Sequence, residues 1–516
     1  MYHALLTRRY LFTKVMPLLA ALGVTLCTAM VLVTWSVMGG FLTTLINSGR
    51  TLTGDVVVSW PGTGFAHYED LISRLRKDPE VAGAAPMIET FGILRTPDGQ
   101  SKGVAFRGVE GDSFRKVSDY DDILWWKAVD KPMPKDKKRL DLRLSEKGRP
   151  GLEAIYDRGL KLTRPDPVTG KPEPAIVPGI EVTQLNERTA AGFYVPWPPV
   201  ITGLDGAQKM AGDYLFIGGN VTITVFPLDS QGRPIDAFSQ PVPVANEFRT
   251  GMYDLDNRVV LVNLELLQKM LKMNALTVAA DTPASNGGET FPDAGTPATR
   301  DQPARVTDVI VKGHALSSDP RDAQRLKARV EAIYAEFAKD HVGSVPAPSR
   351  ILIHTWEDLN RQFIGAVRNE ISLLLFLFCF VSLTAVFLVL AIFWSMVREK
   401  TPDIGVLRSL GAGRAGVAWL WVRYGVAIGV VGSILGLALA YAVVLNINPI
   451  HEWLGTTLGI VIWDPRVYYF TMIPNHVEPL NAVIVGVAGV LSCGVGAFVP
   501  AMRAAVMSPV RALRNE

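Results

Sequence analysis

Four stretches of this chain, residues 15–49, 371–397, 424–451 and 479–502, contain no charged side chain. Each exceeds the roughly 20 residues a helix needs to cross the hydrocarbon layer of a bilayer, where every backbone N–H and C=O must be paired within the segment. This dictates the class: an α-helical membrane protein with four transmembrane helices. The average composition, 48% hydrophobic and 20% charged over 516 residues with a net charge of +3, hides that division. The polar residues are gathered in 41–370, an interval long enough to bury a core of its own outside the membrane.

Lys and Arg in the short flanks set the expected orientation. Arg8, Arg9 and Lys14 precede the first span; Arg398, Lys400, Arg408, Arg414 and Arg423 lie between or just inside the second and third; Arg503, Arg511 and Arg514 follow the fourth. The remaining short loop carries Arg466 against Glu452, Asp464 and Glu478. Both termini and the 398–415 segment are therefore expected in the cytoplasm, with 41–370 exported to the outer side of the membrane. Thr7-Arg-Arg-Tyr-Leu-Phe12 resembles a twin-arginine export signal, but the apolar run behind it is too long and lacks a small-x-small cleavage site, so it is read as a retained span. Cys27, Cys379 and Cys493 all fall in spans, which leaves the exported domain without a disulfide.

The expected order is a cytoplasmic lead-in (1–14), span one (15–40), the exported domain (41–370), span two (371–397), a cytoplasmic segment (398–415), span three (416–446), a short outer loop (447–479), span four (480–502) and a cytoplasmic tail (503–516). Within the exported domain, alternating strand and helix patterns predict an α+β unit made of 50–111 and 305–365 and seated near the membrane. A β-rich subdomain, 176–277, is inserted into it. The charged, Pro-containing stretch 112–175 reads as a solvated surface insertion, with Trp125-Trp126 as an anchor. Residues 278–304, rich in Ala, Thr, Pro, Gly and Asp, read as a disordered loop.

The sequence offers no chemistry of its own. No Walker lysine motif, HExxH or Cys/His cluster is present, so no catalytic residue, metal or bound cofactor is expected. Gly411-Ala-Gly-Arg-Ala-Gly416 matches G-x-G-x-x-G literally but lacks the strand before it and the acid after it. No span carries a central acid or base for a proton relay. Gly425, Gly429, Gly432 and Gly436 make small-xxx-small pairs, which permit close helix packing and say little about function.

One polar island stands out. Arg398 to Arg414 reads as a short capped helix, with Thr401 at the N-cap, Pro402 at the first helical position, Asp403 on the positive end of the dipole and Gly411 at the left-handed stop. Ile404, Leu407 and Leu410 recur at three-residue spacing and give it one apolar face, with Val406 beside them. That face lies either in the membrane interface or in a groove of a cytosolic partner.

The layout of one span, a large exported domain and three further spans resembles that of the FtsX/MacB-type ABC permeases. Met396 to Ala412 is similar to their ATPase-coupling segment, and Pro500-Ala-Met-Arg-Ala-Ala505 to their closing motif. The exported domain resembles that of the lipoprotein-releasing permeases (LolC/LolE type), chiefly in Phe248-Arg-Thr-Gly-Met-Tyr-Asp-Leu-Asp256, with Gly251, Met252, Tyr253 and Asp254 at its centre. Trp356 to Phe363 is similar to the family's lead into span two.

The resemblance implies a permease subunit that is not itself an enzyme. Two copies of a separate ABC ATPase would hold ATP and Mg, and a second permease subunit, identical or paired, would complete the complex. Membrane lipids and lipoprotein cargo follow, with no nucleic acid. Glu399, Lys400, Pro402, Asp403, Ile404, Leu407, Arg408, Leu410 and Gly411 would meet the ATPase. Met30, Val33, Val37, Phe376 and Phe380 would face the acyl chains of the cargo. The hairpin by which one family member recruits a periplasmic lipoprotein chaperone has no counterpart legible in the sequence. Two other readings of the same architecture are a MacB-like efflux permease for peptides or amphiphiles and an FtsX-like signalling permease controlling a cell-wall hydrolase.

Overall fold

The computed structural model describes residues 15–97, 99–130, 143, 151–183, 186–188, 194–196, 200–202, 208–210, 220–228, 232–279, 299–314, 320–460, 463 and 472–508. The chain divides into two compact units, one of 1–44, 362–462 and 473–516 and one of 45–361 and 463–472.

In the first unit, four helices are long and apolar enough to cross a membrane: Val15–Arg50, Arg361–Glu399, Arg414–Leu445 and Pro479–Val506. The first and second run past the expected spans, to Arg50 and back to Arg361. The glycines of the third helix serve two neighbours. A Cβ on Gly429 would lie 2.9 Å from Cβ of Cys493 on the fourth helix, and one on Gly436 would lie 2.8 Å from the Thr25 carbonyl on the first. Gly425 faces Ala497 and Gly432 faces Val24 in the same way. Thr25 Oγ1 donates to the carbonyls of Ala21 (2.8 Å) and Gly432 (3.2 Å). Close backbone approach replaces hydrophobic driving force, which is absent between helices in lipid.

The second unit is built on one nine-stranded mixed sheet. Its strands are β1 (Val56–Ser59), β2 (Val81–Arg95), β3 (Ser101–Val109), β4 (Ile176–Pro178), β5 (Asn220–Val225), β6 (Phe238–Pro243), β7 (Val259–Asn263), β8 (Asp308–Gly313) and β9 (Leu352–Thr355). The spatial order is β9-β1-β8-β2-β3-β7-β4, with β5 pairing to the far end of β2 and β6 to β5. Only β7–β3 is parallel among these pairs. The β-rich middle is inserted in sequence, but β4 to β7 join the same sheet as the flanking strands. Val259-Val-Leu-Val262 is buried at every position, so it needs a strand on each side and a cover on each face.

Alternation along the strands separates two cores. Val56, Val58, Val260, Val262, Val309 and Val311 face one side, covered by helices Tyr68–Leu75 and Pro320–Asp340 through Leu71, Leu75, Val330 and Phe337. Val259, Leu261 and Ile310 face the other. The cover there comes from the stretch read as a surface insertion: Phe114, Val117, Tyr120, Ile123, Leu124 and Leu162 all lie in that second core. The sequence reading is corrected for 112–126 and 152–164, whose three- and four-residue apolar spacing is masked by the charges around it. Trp126 is fixed by an Nε1–H donated to Glu247 (2.7 Å) and a backbone N–H donated to Asn246 Oδ1 (3.1 Å), while the Arg143 guanidinium lies 3.8 Å from the Trp125 ring. Most of the 278–304 loop falls outside the described residues. Its ends are tied, since Leu276–Ala279 pairs antiparallel with Thr299–Gln302.

β1 lies between β8 and β9, so the chain leaving the first long helix pairs directly with the chain about to begin the second. Arg50, the last residue of the first helix, is ion-paired to Glu357 and lies 3.9 Å from Asp55. Arg50 Nε and Glu357 Oε2 are buried without a further partner among the described residues. Removing one member of such a pair strands the other charge, at a cost of about 3–5 kcal/mol. Arg50→Met or Glu357→Met should therefore lower the thermal midpoint of the detergent-solubilised protein, and the exchange Arg50→Glu with Glu357→Arg should recover part of it.

Candidate coupling site

The polar island forms helix Thr401–Ser409. The start is shifted by one residue from the sequence reading. Lys400 is the N-cap, Thr401 is the first helical residue, and its hydroxyl donates back to the Val397 carbonyl (3.1 Å). Lys400 Nζ pairs with Asp403 Oδ2 at 2.9 Å across the first turn. The stop is as expected. Gly411 has φ +95°, its N–H donates to the Arg408 carbonyl (3.2 Å), and the Ala412 N–H donates to the Leu407 carbonyl (3.1 Å). These two bonds make a Schellman motif, which only a residue tolerant of positive φ closes without strain.

The apolar face is split. Ile404 is 2% exposed and shares a buried cluster with Val397, Val417 and Ala504, at the ends of the second, third and fourth long helices. Arg408 Nη1 donates to the carbonyls of Ala505 (2.7 Å) and Met507, satisfying acceptors that the end of the fourth helix leaves without intrahelical partners. Ile404 is thus spent inside the chain, which corrects its expected contact with an ATPase, and half-buried Arg408 joins it in seating the helix. Leu407 at 40% and Leu410 at 80% exposure point outward together with Val406 at 47%. Pro402, Asp403 and Gly411 border this ridge, and Glu399 is exposed at the end of the second long helix. Val406 belongs to the outward set, which three-residue spacing alone did not reveal.

The residues read as facing cargo divide similarly. Met30, Phe376 and Phe380 are more than half exposed, and the last two rings meet edge to face at 5.1 Å. Val33 is half-buried against the cluster of Leu32, Ala440 and Val485, and Val37 is half-buried as well.

The Gly-Met-Tyr-Asp motif is a corner of the second unit's core. Gly251 has φ +84°, Met252 is buried, and Asp254 is paired with Arg258 on the surface at 3.2 Å. The organising residue is Asp256, two positions beyond the motif. Its carboxylate accepts from the Thr250 N–H (2.7 Å), the Thr250 hydroxyl (2.8 Å) and the Gly251 N–H (3.1 Å), holding the turn that delivers β7. An acid spaced to reach back to a Gly turn was the available signal. Tyr253 is half-buried beside it.

A second exposed surface lies at the β5–β6 hairpin. Phe226, Ile235 and Phe238 flank it, and Phe91 and Ile93 stand on the adjoining part of β2, each 38% exposed or more. Pro241 and Pro243 on β6 remove backbone donors from this edge, which discourages strand addition and leaves side chains to make any contact. Among the described residues no group of three or more His, Cys, Asp or Glu is placed to hold a metal.

The FtsX-like permease C-terminal family matches residues 375–509. Over 513 residues, 99% of this chain and 96% of the relative, the chain is 21% identical to the lipoprotein-releasing system transmembrane protein LolC of Xylella fastidiosa. It is 27% identical over 119 residues to the lipoprotein-releasing system transmembrane protein LolE of Haemophilus influenzae, covering 23% of this chain and 29% of that one. The periplasmic region of MacB from Actinobacillus actinomycetemcomitans aligns in structure with 61% of this chain and 94% of its own, at 10% identity and a TM-score of 0.25.

Two buried acids give the second unit an unusual pH response. Burial pushes Asp256 up to about 6 against its hydrogen bonds from Thr250 and Gly251, and pushes Asp308 up to about 6 against those from Ser59 and Thr307. Between about 4 and 6 the folded state then holds protons that the unfolded state has released, so stability falls as pH rises through that window, on the order of 2–3 kcal/mol per group. Asp308→Asn removes one of these titrations. Urea midpoints measured from pH 4 to 6.5 should fall less steeply for that variant than for the parent chain.

Proposed function

We propose, on the premise that this chain carries an FtsX-like permease domain, that it is the transmembrane subunit of an ATP-driven complex that extracts lipoproteins from the inner membrane for transfer to the outer membrane. The observation that carries the ATP-driven part is the outward ridge of Val406, Leu407 and Leu410. It sits on a helix fixed by Ile404 beneath it, Arg408 to one side and the Schellman stop behind. A docking point that transmits force must be seated firmly in its own chain and apolar toward its partner, and this helix meets both conditions. The partner is a separate ABC ATPase in two copies, which binds the ATP and Mg; this chain contributes no catalytic residue. The lipoprotein-releasing part is supported by relatives of that name matched along nearly the whole chain.

In this reading the basic flanks and the ridge are cytoplasmic, and the sheet domain is periplasmic. A second permease subunit, identical or related, faces the first. Met30, Phe376 and Phe380 offer the apolar surface for acyl chains, with Val33 and Val37 at its margin. The exposed hairpin side chains Phe226, Ile235 and Phe238 are where a periplasmic lipoprotein chaperone would be met.

Leu407→Glu and Leu410→Glu should each abolish co-purification of the ATPase while leaving membrane insertion and thermal stability unchanged, because neither side chain is buried in the chain. Unchanged co-purification would return the ridge to the membrane surface. Depletion of the protein, followed by membrane fractionation, should leave lipoproteins in the inner membrane. Normal delivery to the outer membrane would remove lipoprotein release and favour an efflux or signalling permease of the same architecture.

A further inference from the structure

The first unit contains a partly open cavity of about 140 Å³ lined by the first, second and fourth long helices. Its floor is buried: Val24, Thr28, Val389, Val485 and Cys493 are each less than a tenth exposed. On one side it is bounded by Ile484 and Ala488, one helical turn apart on the fourth helix and both exposed. The cavity therefore adjoins the outer apolar surface of the helices, where Leu491 and Val495 continue the same exposed stripe. No charged side chain lines it, and one polar pair on its wall is already matched, Cys27 Sγ lying 3.8 Å from Ser382 Oγ.

We propose that this cavity is a binding site for a segment of one phospholipid acyl chain. Three observations converge on that occupant. The lining is mostly apolar, with the hydroxyls of Thr28, Ser382 and Ser492 among it, and lies within helices long enough to cross a bilayer, so the medium beside the opening is hydrocarbon. The size admits a body of about benzene's dimensions, as an engineered apolar cavity of about 150 Å³ does, whereas sites for drug-sized molecules run to roughly 300–1,000 Å³. A few carbons of a single chain fit; a peptide or a complete lipid does not. Among sources of such a chain, the bilayer is present at by far the highest local concentration, and mass action favours it over any cargo. A chain inserted here would wedge between the fourth helix and the first two, filling space that is otherwise without dispersion contacts. The inference depends on the helices crossing a bilayer and is independent of lipoprotein release.

The test uses the full-length protein in nanodiscs made with a phospholipid carrying a diazirine near the end of one acyl chain. After irradiation, peptide mapping should find adducts enriched at the lining residues Thr28, Val31 and Ser382 over those at outward-facing Phe387 and Val495. Ala385→Phe with Ala488→Phe fills the cavity and should reduce the inner adducts at least fivefold, with the outer ones unchanged as a control on folding; Ala488→Leu is the milder variant should the double change not fold. Equal labelling inside and out, or inner labelling unaffected by filling, would overturn the site. Inner labelling that appears only after a lipoprotein is added would overturn the bilayer as source. A link between two copies of the chain at Ile484 would show that a second subunit covers the opening and would overturn lipid access.

Discussion

The placement of β1 between β8 and β9 is the constraint on which the extramembrane unit depends. Val56 to Ser59 pair on one side with Asp308 to Val311 and on the other with Leu352 to Thr355, so the strand that follows the first long helix is held by the two strands that close the domain. Everything between, including the β5–β6 hairpin and the second core, is an excursion from a sheet whose first and last strands are neighbours. Arg50, half-buried between Asp55 and Glu357, puts a charge at the same junction. A buried ion pair is a poor source of net stability compared with apolar packing, because desolvation consumes most of the Coulomb gain. A shifted register of β1 against β9 would part the two half-buried charges, so the pair disfavours such a slip.

The same division between seating and presenting runs through the coupling helix. Nine residues are too few for an isolated helix to persist in water, and propensity contributes little at this length. Order comes from its ends and underside: Gly411 closes the stop, Ile404 occupies a buried cluster, and Arg408 caps another helix. Because these residues hold the helix, Leu407 and Leu410 need contribute nothing to the fold and are left exposed.

The legible part of this chain was whatever a one-dimensional pattern could carry. Charge-free runs located the four long helices, and strand and helix patterns located the α+β stretches that flank the β-rich middle. Gly411 announced its own stop. The missed features depend on what lies across from a residue. The apolar positions of 112–126 are spaced as a cover, but only Val259, Leu261 and Ile310 opposite them say that there is a face to be covered. Ile404 and Leu407 look alike in sequence, and the third and fourth helices decide which one is buried. Likewise Arg408 reads as a surface cation until the bare carbonyls of Ala505 and Met507 are placed beside it.

An amphipathic helix between membrane spans has two common destinations, and the proposed reading takes the protein partner over the membrane interface. An interfacial helix presents a continuous apolar face to lipid with cations along its polar flank. Here the most apolar turn position, Ile404, faces the chain's own helices, and the exposed remainder alternates Val406, Leu407 and Leu410 with Pro402, Asp403 and Ser409. A protein groove tolerates this mixture, since apolar side chains fill pockets while a rim carboxylate fixes register through a partner's donors. Leu410 is 80% exposed beside the helix stop, and in the proposed reading burial against another chain removes the cost of leaving it in water.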